Sequence, residues 1–203
     1  MKNTKETFTT QKLCFIGLFG ALSTVLMLFK IPLFFSPAFM KLDLAELPAI
    51  IGSFMFGPMT GICIVGIKLL LHLFISGTDS MYVGEVSNLV LSSCYVLIAS
   101  VLYGRHKTKK VAACSLVLSV AVTSVLAVIT NTFFIFPAYT VVYGMTMESI
   151  VAMAGAVNPF VHDTVSMMLW SIFPFNIIKY GFVSLITFLI YKKIHLFMVR
   201  LTN

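Results

Sequence analysis

The sequence predicts an all-α integral membrane protein with six transmembrane helices and both termini in the cytoplasm. Of its 203 residues, 59% are hydrophobic and only 10% are charged, and the mean hydropathy is +1.01. An average soluble protein is about 45 to 50% apolar and about 25% charged, so this composition is typical of a membrane protein. The same values exclude a cytosolic enzyme and an intrinsically disordered chain, which combines low hydrophobicity with high net charge.

The length of the chain predicts one transmembrane domain over residues 1–203. A membrane-spanning helix takes about 20 residues, so this length allows roughly five to seven spans with short loops. The apolar stretch that begins near Leu13 is long and has no convincing small-residue cleavage site. We therefore expect this stretch to remain as the first span and not to be removed as a signal peptide.

Apolar runs between polar or Pro/Gly breaks define the six spans in order. The first ends near Pro32, and Gly57-Pro58 separates the second and third spans, which form a hairpin. A polar patch precedes the fourth span, and a basic cluster separates it from the fifth. Within the segment over residues 135–170, the apolar stretch 150–157 is too short to span, so this segment is predicted to be an outer re-entrant or lid-like element. The predicted spans cover about residues 12–33, 44–56, 60–75, 83–103, 111–134 and 171–191.

The basic residues orient the predicted helices. The chain carries 14 Lys and Arg against 7 Asp and Glu, a net charge of +7. Cytoplasmic loops of membrane proteins are enriched in Lys and Arg, and six spans place all three basic clusters on the cytoplasmic side. Because the clusters flank the spans, the charge indicates contact with a lipid bilayer and no nucleic-acid partner. The clusters are Lys2, Lys5 and Lys12; Arg105, Lys107, Lys109 and Lys110; and Lys192, Lys193 and Arg200.

The chain has no convincing sequence pattern for catalysis or metal binding. No GxxxxGK[ST] loop is present, so the protein is not expected to hydrolyse ATP itself. His162-Asp163 has no nearby nucleophile that would complete a triad. We therefore expect no catalytic residue, no metal and no cofactor. The cysteines are expected to be free and buried, since none has a metal-ligand spacing: Cys14, Cys63, Cys94 and Cys114.

Four polar residues lie inside predicted spans, where polar groups are costly and usually functional. Asn176 and Lys179 are three residues apart and share one helix face, and Asn131 lies at a similar depth near the outer end of its span. Two amides and an ammonium supply the donors and acceptors that suit a polyhydroxyl ligand. In the alternative interpretation, the Asn residues join helices, Lys179 pairs with a buried acid such as Glu46, and Lys68 is structural as well.

Aromatic residues are concentrated in the same outer half of the predicted bundle. Interfacial belts explain most of them, and some are expected to line a slot for a flat ring system. They are Phe34, Phe35, Phe39, Tyr82, Phe133, Phe134, Phe136, Tyr139, Tyr143, Trp170, Phe173 and Phe175.

Several segments, in this order and spacing, resemble one known family: the substrate-binding S components of energy-coupling factor (ECF) vitamin transporters, and in particular the riboflavin-specific members. The likeness covers most of the chain and is most specific in the segment 174–179, Pro-Phe-Asn-Ile-Ile-Lys. The other segments that carry it are 41–48 (KLDLAELP), 56–62 (FGPMTGI), 84–88 (GEVSN) and 131–133 (NTF).

The resemblance implies a six-helix bundle in the bacterial cytoplasmic membrane. It would bind riboflavin near the outer face and dock onto a membrane T component that carries two cytoplasmic ATPases. The small residues Gly17 and Ala21 correspond to the family's docking motif on the first helix. Phe39 stands where riboflavin members often have Tyr, so ring recognition is expected to differ there. The implied ligand-binding residues are Asn131, Asn176, Lys179, Phe39, Lys41, Leu42, Glu85 and Asn88.

Other functions remain open at this point. Another vitamin such as thiamine is the nearest alternative, since Glu85 or Glu46 could face a cation. A carboxylated vitamin is disfavoured because Arg105 and Arg200 are both predicted to be cytoplasmic. FMN is a further candidate ligand, whose phosphate Lys179 or Lys41 could meet. Outside this class, the chain could be an assembly subunit without a ligand or, less plausibly, a membrane enzyme.

Overall fold

The structure is a computed structural model that describes residues 9–37, 40–78 and 80–202, with side chains described up to residue 193. Most of the described chain is helical. The helices are α1 Thr10–Leu28, α2 Glu46–Phe56, α3 Pro58–Ser76, α4 Val83–Arg105, α5 Lys109–Thr130, α6 Phe136–Tyr143, α7 Met147–Gly155, α8 Thr164–Met167 and α9 Phe173–Thr202. Two π-helical segments, Asn131–Ile135 and Met168–Ile172, and two strands, β1 Ile31–Pro32 and β2 Lys41–Leu42, complete the fold.

Five stretches of the described chain are long and apolar enough to cross a membrane, which makes this a multi-pass membrane protein. The second predicted span, residues 44–56, forms the 11-residue helix α2. At 1.5 Å per residue, such a helix extends about 17 Å, roughly half of a 30 Å hydrocarbon core. The six-span count therefore stays a prediction. The five stretches are Thr10–Leu28, Pro58–Ser76, Val83–Arg105, Lys109–Tyr143 and Thr164–Lys193.

The segment 135–170, predicted to be a re-entrant or lid-like element, is helical over much of its length. The fifth helix continues through a π-helical segment to Tyr143, and the last helical stretch already begins at Thr164. A π-helical turn inserts one residue without ending the helix, so the hydrophobic pattern alone did not show the continuation. Only the part between these helices, which contains α7, remains as a separate outer element.

Helix α2 occupies the centre of the bundle. It contacts α1, α3, α4 and α9, while α1 packs on α3, and α5 packs between α4 and α9. Ala49 and Ile50 on α2 are fully buried, and the ring of Phe54 stacks on Tyr103 with centroids 4.3 Å apart. Gly57, with φ of 98°, makes the sharp turn from α2 into α3. A short helix can sit inside a bundle in this way because the longer helices around it face the lipid.

The connections at one end of the bundle are tied together by backbone and side-chain hydrogen bonds. Strands β1 and β2 form an antiparallel hairpin after α1. The buried side chain of Asn158, after α7, donates to the carbonyl oxygens of Phe35 at 3.3 Å and Trp170 at 2.9 Å. Trp170 lies in the second π-helical segment, where the backbone departs from the α-helical bonding pattern. The hairpin, the loop after α7 and the start of the last helix thus form one surface.

The opposite end of the bundle carries the described residues of the central and last basic clusters, which include Lys107, Lys109, Lys192 and Lys193. Tyr103 near the end of α4 lies 3.2 Å from Tyr191 on α9, measured between the hydroxyl oxygens. The Lys109 ammonium lies 4.9 Å from the ring centroid of Phe188. The central basic loop and the end of α9 are therefore neighbours, as the charge pattern predicted for residues on one side of a membrane.

Candidate functional site

Two adjoining cavities lie at the end of the bundle opposite the basic clusters. The larger has a volume of about 350 Å³ and the smaller about 140 Å³. The larger volume falls within the range of small-molecule sites, about 300 to 1,000 Å³. Five residues line both cavities, so the two are parts of one internal space: Lys41, Gly84, Asn88, Tyr139 and Lys179.

The smaller cavity is lined by three of the four polar residues that the sequence indicated, Asn131, Asn176 and Lys179, whereas Lys68 does not line it. The Asn131 amide donates its N–H to the Ala127 carbonyl at 2.7 Å, and Asn176 donates in the same way to Ile172 at 2.8 Å. Neither side-chain oxygen receives a hydrogen bond from any described residue. The two amides therefore present acceptors to the cavity, because an Asn oxygen accepts hydrogen bonds and cannot donate them.

Both asparagines lie next to π-helical segments. Asn131 is the first residue of one segment, and Ile172, which accepts from Asn176, is the last residue of the other. π-Helical turns are frequent at functional sites, since they shift side chains out of the regular helical register. The local backbone thus sets the direction of both amides.

Lys179 lies in a buried network of four charges. Its ammonium is 3.2 Å from an Asp43 carboxylate oxygen and 3.4 Å from Glu46 Oε1. The same Glu46 oxygen accepts from Lys68 at 3.1 Å, and the side chains of Glu46 and Lys68 are fully buried. Two lysines and two acids balance to zero net charge, which is what allows ions to remain in an apolar interior. The pairing of Lys179 with Glu46, which the alternative interpretation expected, is present together with a second partner, Asp43.

The larger cavity combines apolar, aromatic and rim-charged residues. Met27, His72, Tyr139 and Tyr143 are among its walls, and the Tyr139 and Tyr143 rings are 5.6 Å apart between centroids. Such walls suit a flat, partly polar molecule. Further apolar lining comes from Met145, Ile150 and Met153.

Glu85 is held at the rim of the larger cavity by the turn before α4. The Ser80 hydroxyl donates to Glu85 Oε2 at 2.7 Å and accepts from the Gly84 backbone N–H at 2.9 Å. Met81 and Tyr82 adopt positive φ angles of 44° and 70°, uncommon for residues with a side chain. Thr78 supports this turn, because its hydroxyl accepts from the Tyr82 backbone N–H at 2.9 Å.

Other predicted residues have different positions. Lys41 and Asn88 line both cavities, whereas Leu42 is buried and lines neither of them. Phe39 lies outside the described residues. His72 was missed as a cavity residue, and a histidine within an apolar helix was the available signal. Asp43 also lines the larger cavity; the resemblance implied ring contacts near residues 39–43 but did not single it out. The role of all these residues in ligand binding stays a prediction.

The two small-residue pairs on α1 face in different directions. Gly20 and Thr24 are buried against α3, where a Cβ on Gly20 would lie 2.5 Å from an Ile67 methyl carbon. Gly17 and Ala21 are exposed, and a Cβ on Gly17 would have no heavy atom within 4 Å. Only the second pair is accessible to a partner.

Asp163 has a structural role in the described chain. Its carboxylate accepts from the Ser166 backbone N–H at 2.7 Å and caps helix α8. Hydrogen bonding by Ser166 lowers the pKa of this exposed carboxyl below its ordinary value. Among the described residues, no group of three His, Cys, Asp or Glu side chains could hold a metal ion, and the cysteines form no disulfide. The predicted burial of the cysteines is wrong for Cys14 and Cys114, which are exposed, while Cys63 and Cys94 are partly buried.

The apolar helices and the polar-lined cavity at one end of the bundle are the features of a multi-pass membrane protein that binds a small molecule. Residues 11–191 match the family described as "ECF transporter, substrate-specific component". The chain therefore belongs to the family of substrate-specific components of ECF transporters.

Individual relatives agree with this membership. The chain is 30% identical over 185 residues to "Riboflavin transporter FmnP" of Bacillus subtilis (strain 168), covering 91% of this chain and 92% of the relative. It is 28% identical over 191 residues to "Riboflavin transporter RibU" of Staphylococcus aureus (strain TCH60), covering 94% of each. A solved structure described as "Structure and mechanism of the S component of a bacterial ECF transporter" matches with a TM-score of 0.72 and 26% identity. That match covers 93% of this chain and 97% of the other.

Proposed function

We propose that this protein is the riboflavin-binding subunit of an ECF transporter and that it mediates riboflavin uptake across the bacterial cytoplasmic membrane. The observation that carries the proposal is the pair of adjoining cavities with different linings. Riboflavin likewise has two different ends, a flat isoalloxazine ring and a ribityl chain with four hydroxyl groups. The relatives named as riboflavin transporters, which match over nine-tenths of the chain, support the same ligand.

The smaller cavity suits the ribityl chain. Asn131 and Asn176 offer acceptor oxygens, while Lys179 can only donate. A hydroxyl group donates one hydrogen and accepts others, so neighbouring hydroxyls can satisfy acceptors and donors together. A carboxylate ligand has no hydrogen to donate, so it would leave the two amide oxygens without hydrogen-bond partners.

The larger cavity suits the ring. Its volume of about 350 Å³ and its Tyr and Met walls favour a flat aromatic ligand. Thiamine is less well suited, because it is a cation. The described lining contains Lys30, Lys41 and Lys179 against the two acids Asp43 and Glu85, and so offers no excess of negative charge.

The family assigns energy supply to a separate module, which we propose docks on helix α1. The exposed pair Gly17 and Ala21 would let a partner helix approach closely in the membrane. The partners would be a membrane T component and two cytoplasmic ATPases, on the side that carries the basic clusters. In this topology α2, the second span along the chain, completes a set of six spans, and both termini are cytoplasmic.

Titration of ligand-free, detergent-purified protein with riboflavin tests the proposal. We expect saturable quenching of flavin fluorescence with one ligand per protein and no displacement by excess thiamine. A folded protein that leaves the fluorescence unchanged would contradict the proposal. Competition by FMN in the same assay decides whether a phosphate is accepted; an FMN that does not compete excludes it as a second ligand.

A further inference from the structure

Lys68 lines neither cavity, yet it contacts a residue that lines both of them. It lies in the middle of α3, its side chain is fully buried, and its ammonium contacts two oxygens from different helices. One is Glu46 Oε1 at 3.1 Å on α2, and the other is Asn88 Oδ1 at 2.8 Å on α4. Lys68 thus connects the buried charges to Asn88, which lines both cavities.

The contact with Lys68 determines which way the Asn88 amide points. An ammonium can only donate, so it must face the amide oxygen and not the amide nitrogen. The Asn88 nitrogen has no hydrogen-bond partner among the described residues. The amide N–H group is therefore left for the cavities. This direction is opposite to that of Asn131 and Asn176, which present their oxygens.

Ser92 makes a second, weaker contact with the same oxygen. It lies one helical turn after Asn88 on α4, with its hydroxyl 3.1 Å from Asn88 Oδ1 and 2.7 Å from Glu46 Oε1. A hydroxyl has one hydrogen to donate, and the shorter distance and the charge favour Glu46. Lys68 is therefore the donor on which the orientation of Asn88 mainly depends.

We infer that Lys68 is a positioning residue that turns the Asn88 amide N–H toward the cavities, and that Asn88 thereby selects the pyrimidine flank of the flavin ring. The inference rests on the proposed function. In riboflavin, the ribityl chain joins the ring at N10, between two unlike flanks. One flank carries N1 and the C2 carbonyl oxygen, which are acceptors, and the other carries only a C–H group.

The position of Asn88 connects this chemistry to the cavities. A residue that lines both cavities lies where the ribityl chain joins the ring, if each end of the ligand occupies its own cavity. A buried N–H that faces a C–H group is left unsatisfied, which is costly. The orientation in which N1 and O2 face Asn88 avoids that cost. Lys68 thus acts on the ligand only through Asn88.

The first experiment combines one variant with altered ligands. Asn88→Asp keeps an oxygen toward Lys68 and replaces the amide donor by an acceptor of similar shape. We measure the affinities of the full-length purified protein for riboflavin, 1-deazariboflavin and 2-thioriboflavin, with 5-deazariboflavin as the control altered at a distant ring atom. We expect Asn88→Asp to weaken riboflavin binding by about tenfold, the equivalent of one lost hydrogen bond. We also expect it to abolish wild-type discrimination against at least one of the first two analogues.

The second experiment separates positioning from stability. Lys68→Met removes the donor, and Lys68→Met with Glu46→Gln keeps the buried charges balanced if the single variant fails to fold. We expect either protein to lose discrimination against the same analogue, because the Asn88 amide is free to turn. The matched control is Ser92→Ala, which removes the weaker contact and should retain the discrimination.

The outcomes separate this inference from the proposed function. A wild-type protein that does not bind riboflavin would overturn both. Riboflavin binding that is unchanged in Asn88→Asp, or discrimination that persists in the Lys68 variants, would overturn the inference and leave the proposed function standing. 2′-Deoxyriboflavin, which lacks one ribityl hydroxyl, is measured in the same assay. Discrimination that the variants lose only against this ligand would also overturn the inference, since Asn88 would then face the ribityl chain.

Discussion

At the scale of single residues, the direction of each amide and ammonium decides what the smaller cavity can bind. Asn131 and Asn176 each donate a side-chain N–H to the carbonyl oxygen four residues earlier in the chain. Their oxygens remain for a ligand, while Lys179 adds a charged donor shared with two acids. The pattern of acceptors and donors is thus a property of the helix backbones as well as of the side chains.

Replacing either amide should weaken riboflavin binding without unfolding the protein. We expect Asn131→Ala and Asn176→Ala each to raise the riboflavin dissociation constant by about tenfold, the equivalent of one hydrogen bond of about 1.4 kcal/mol. Fluorescence titration measures this change. The control is Thr187→Ala, which removes a similar side-chain bond to a backbone carbonyl on α9, 11 residues from Asn176. Equal weakening in the control would contradict a direct role of the amides.

The buried ion pairs of Lys179 should contribute more to stability than the amides of Asn131 and Asn176 do. Lys179→Met leaves Asp43 and Glu46 with one lysine between them, and breaking such a buried pair typically costs about 3 to 5 kcal/mol. We expect a marked fall in the thermal unfolding temperature in detergent. Adding Asp43→Asn to Lys179→Met should restore part of the lost unfolding temperature, because one lysine then faces one acid and the buried charges balance again. A double variant less stable than Lys179→Met alone would argue against charge pairing.

Sequence reasoning found part of this site. Asn131, Asn176 and Lys179 were predicted because polar groups inside apolar spans are costly, and the structure brings them to one cavity. The pairing of Lys179 with Asp43 was not predicted, since these residues are 136 positions apart and Asp43 lies in a loop segment. The directions of the amides were also beyond prediction, because they depend on local backbone geometry.

At the scale of elements, hydrophobic runs predicted where most helices lie but not how some continue or end. The runs for α3 and α4 agree with the structure to within a few residues, because Gly57-Pro58 and the basic cluster after Arg105 are strong local breaks. The continuation of α5 to Tyr143 was missed, since Pro137 resembles a helix end. Pro at this place is tolerated because it follows a π-helical segment and begins α6.

The two faces of α1 should respond differently to the same substitution. Gly20→Leu would clash with Ile67 in the contact with α3, and we expect a loss of stability of about 1 to 3 kcal/mol. Gly17→Leu meets open space, so stability and riboflavin affinity should be unchanged. Thermal unfolding and fluorescence titration measure these effects in the purified protein.

The proposed docking face adds a second readout for Gly17→Leu. Riboflavin uptake by cells that also contain the energising module should fall, because a large side chain keeps the partner helix away. Undiminished uptake by Gly17→Leu, at equal amounts of protein in the membrane, would contradict docking on this face of α1.

At the scale of the whole molecule, the cavities and the basic clusters lie at opposite ends of the bundle. The positive-inside tendency predicts an orientation with the cavities toward the outside. An importer needs its empty binding site exposed to the external medium, so the charge distribution and the proposed function agree. The orientation stays a prediction from charge placement, and the number of crossings stays a prediction as well, because α2 is only 11 residues long.

Cysteine labelling tests this orientation. In a variant without the four native cysteines, we expect Glu148→Cys to react with a membrane-impermeant maleimide in intact cells. Both Glu148 and Lys107 are exposed, so accessibility within the protein is matched. Lys107→Cys should react only after the cells are opened. The reverse pattern would place the cavities on the cytoplasmic side.

The central claim is that two adjoining cavities bind the two ends of one flavin. Comparison of riboflavin with lumiflavin, which has the same ring and no ribityl chain, tests it most directly by fluorescence titration of the purified protein. We predict saturable one-to-one binding of riboflavin and binding of lumiflavin that is weaker by at least about tenfold, the equivalent of one lost hydrogen bond. Equal affinities for the two ligands would contradict a ribityl site in the smaller cavity, and no binding of either would contradict the flavin site itself.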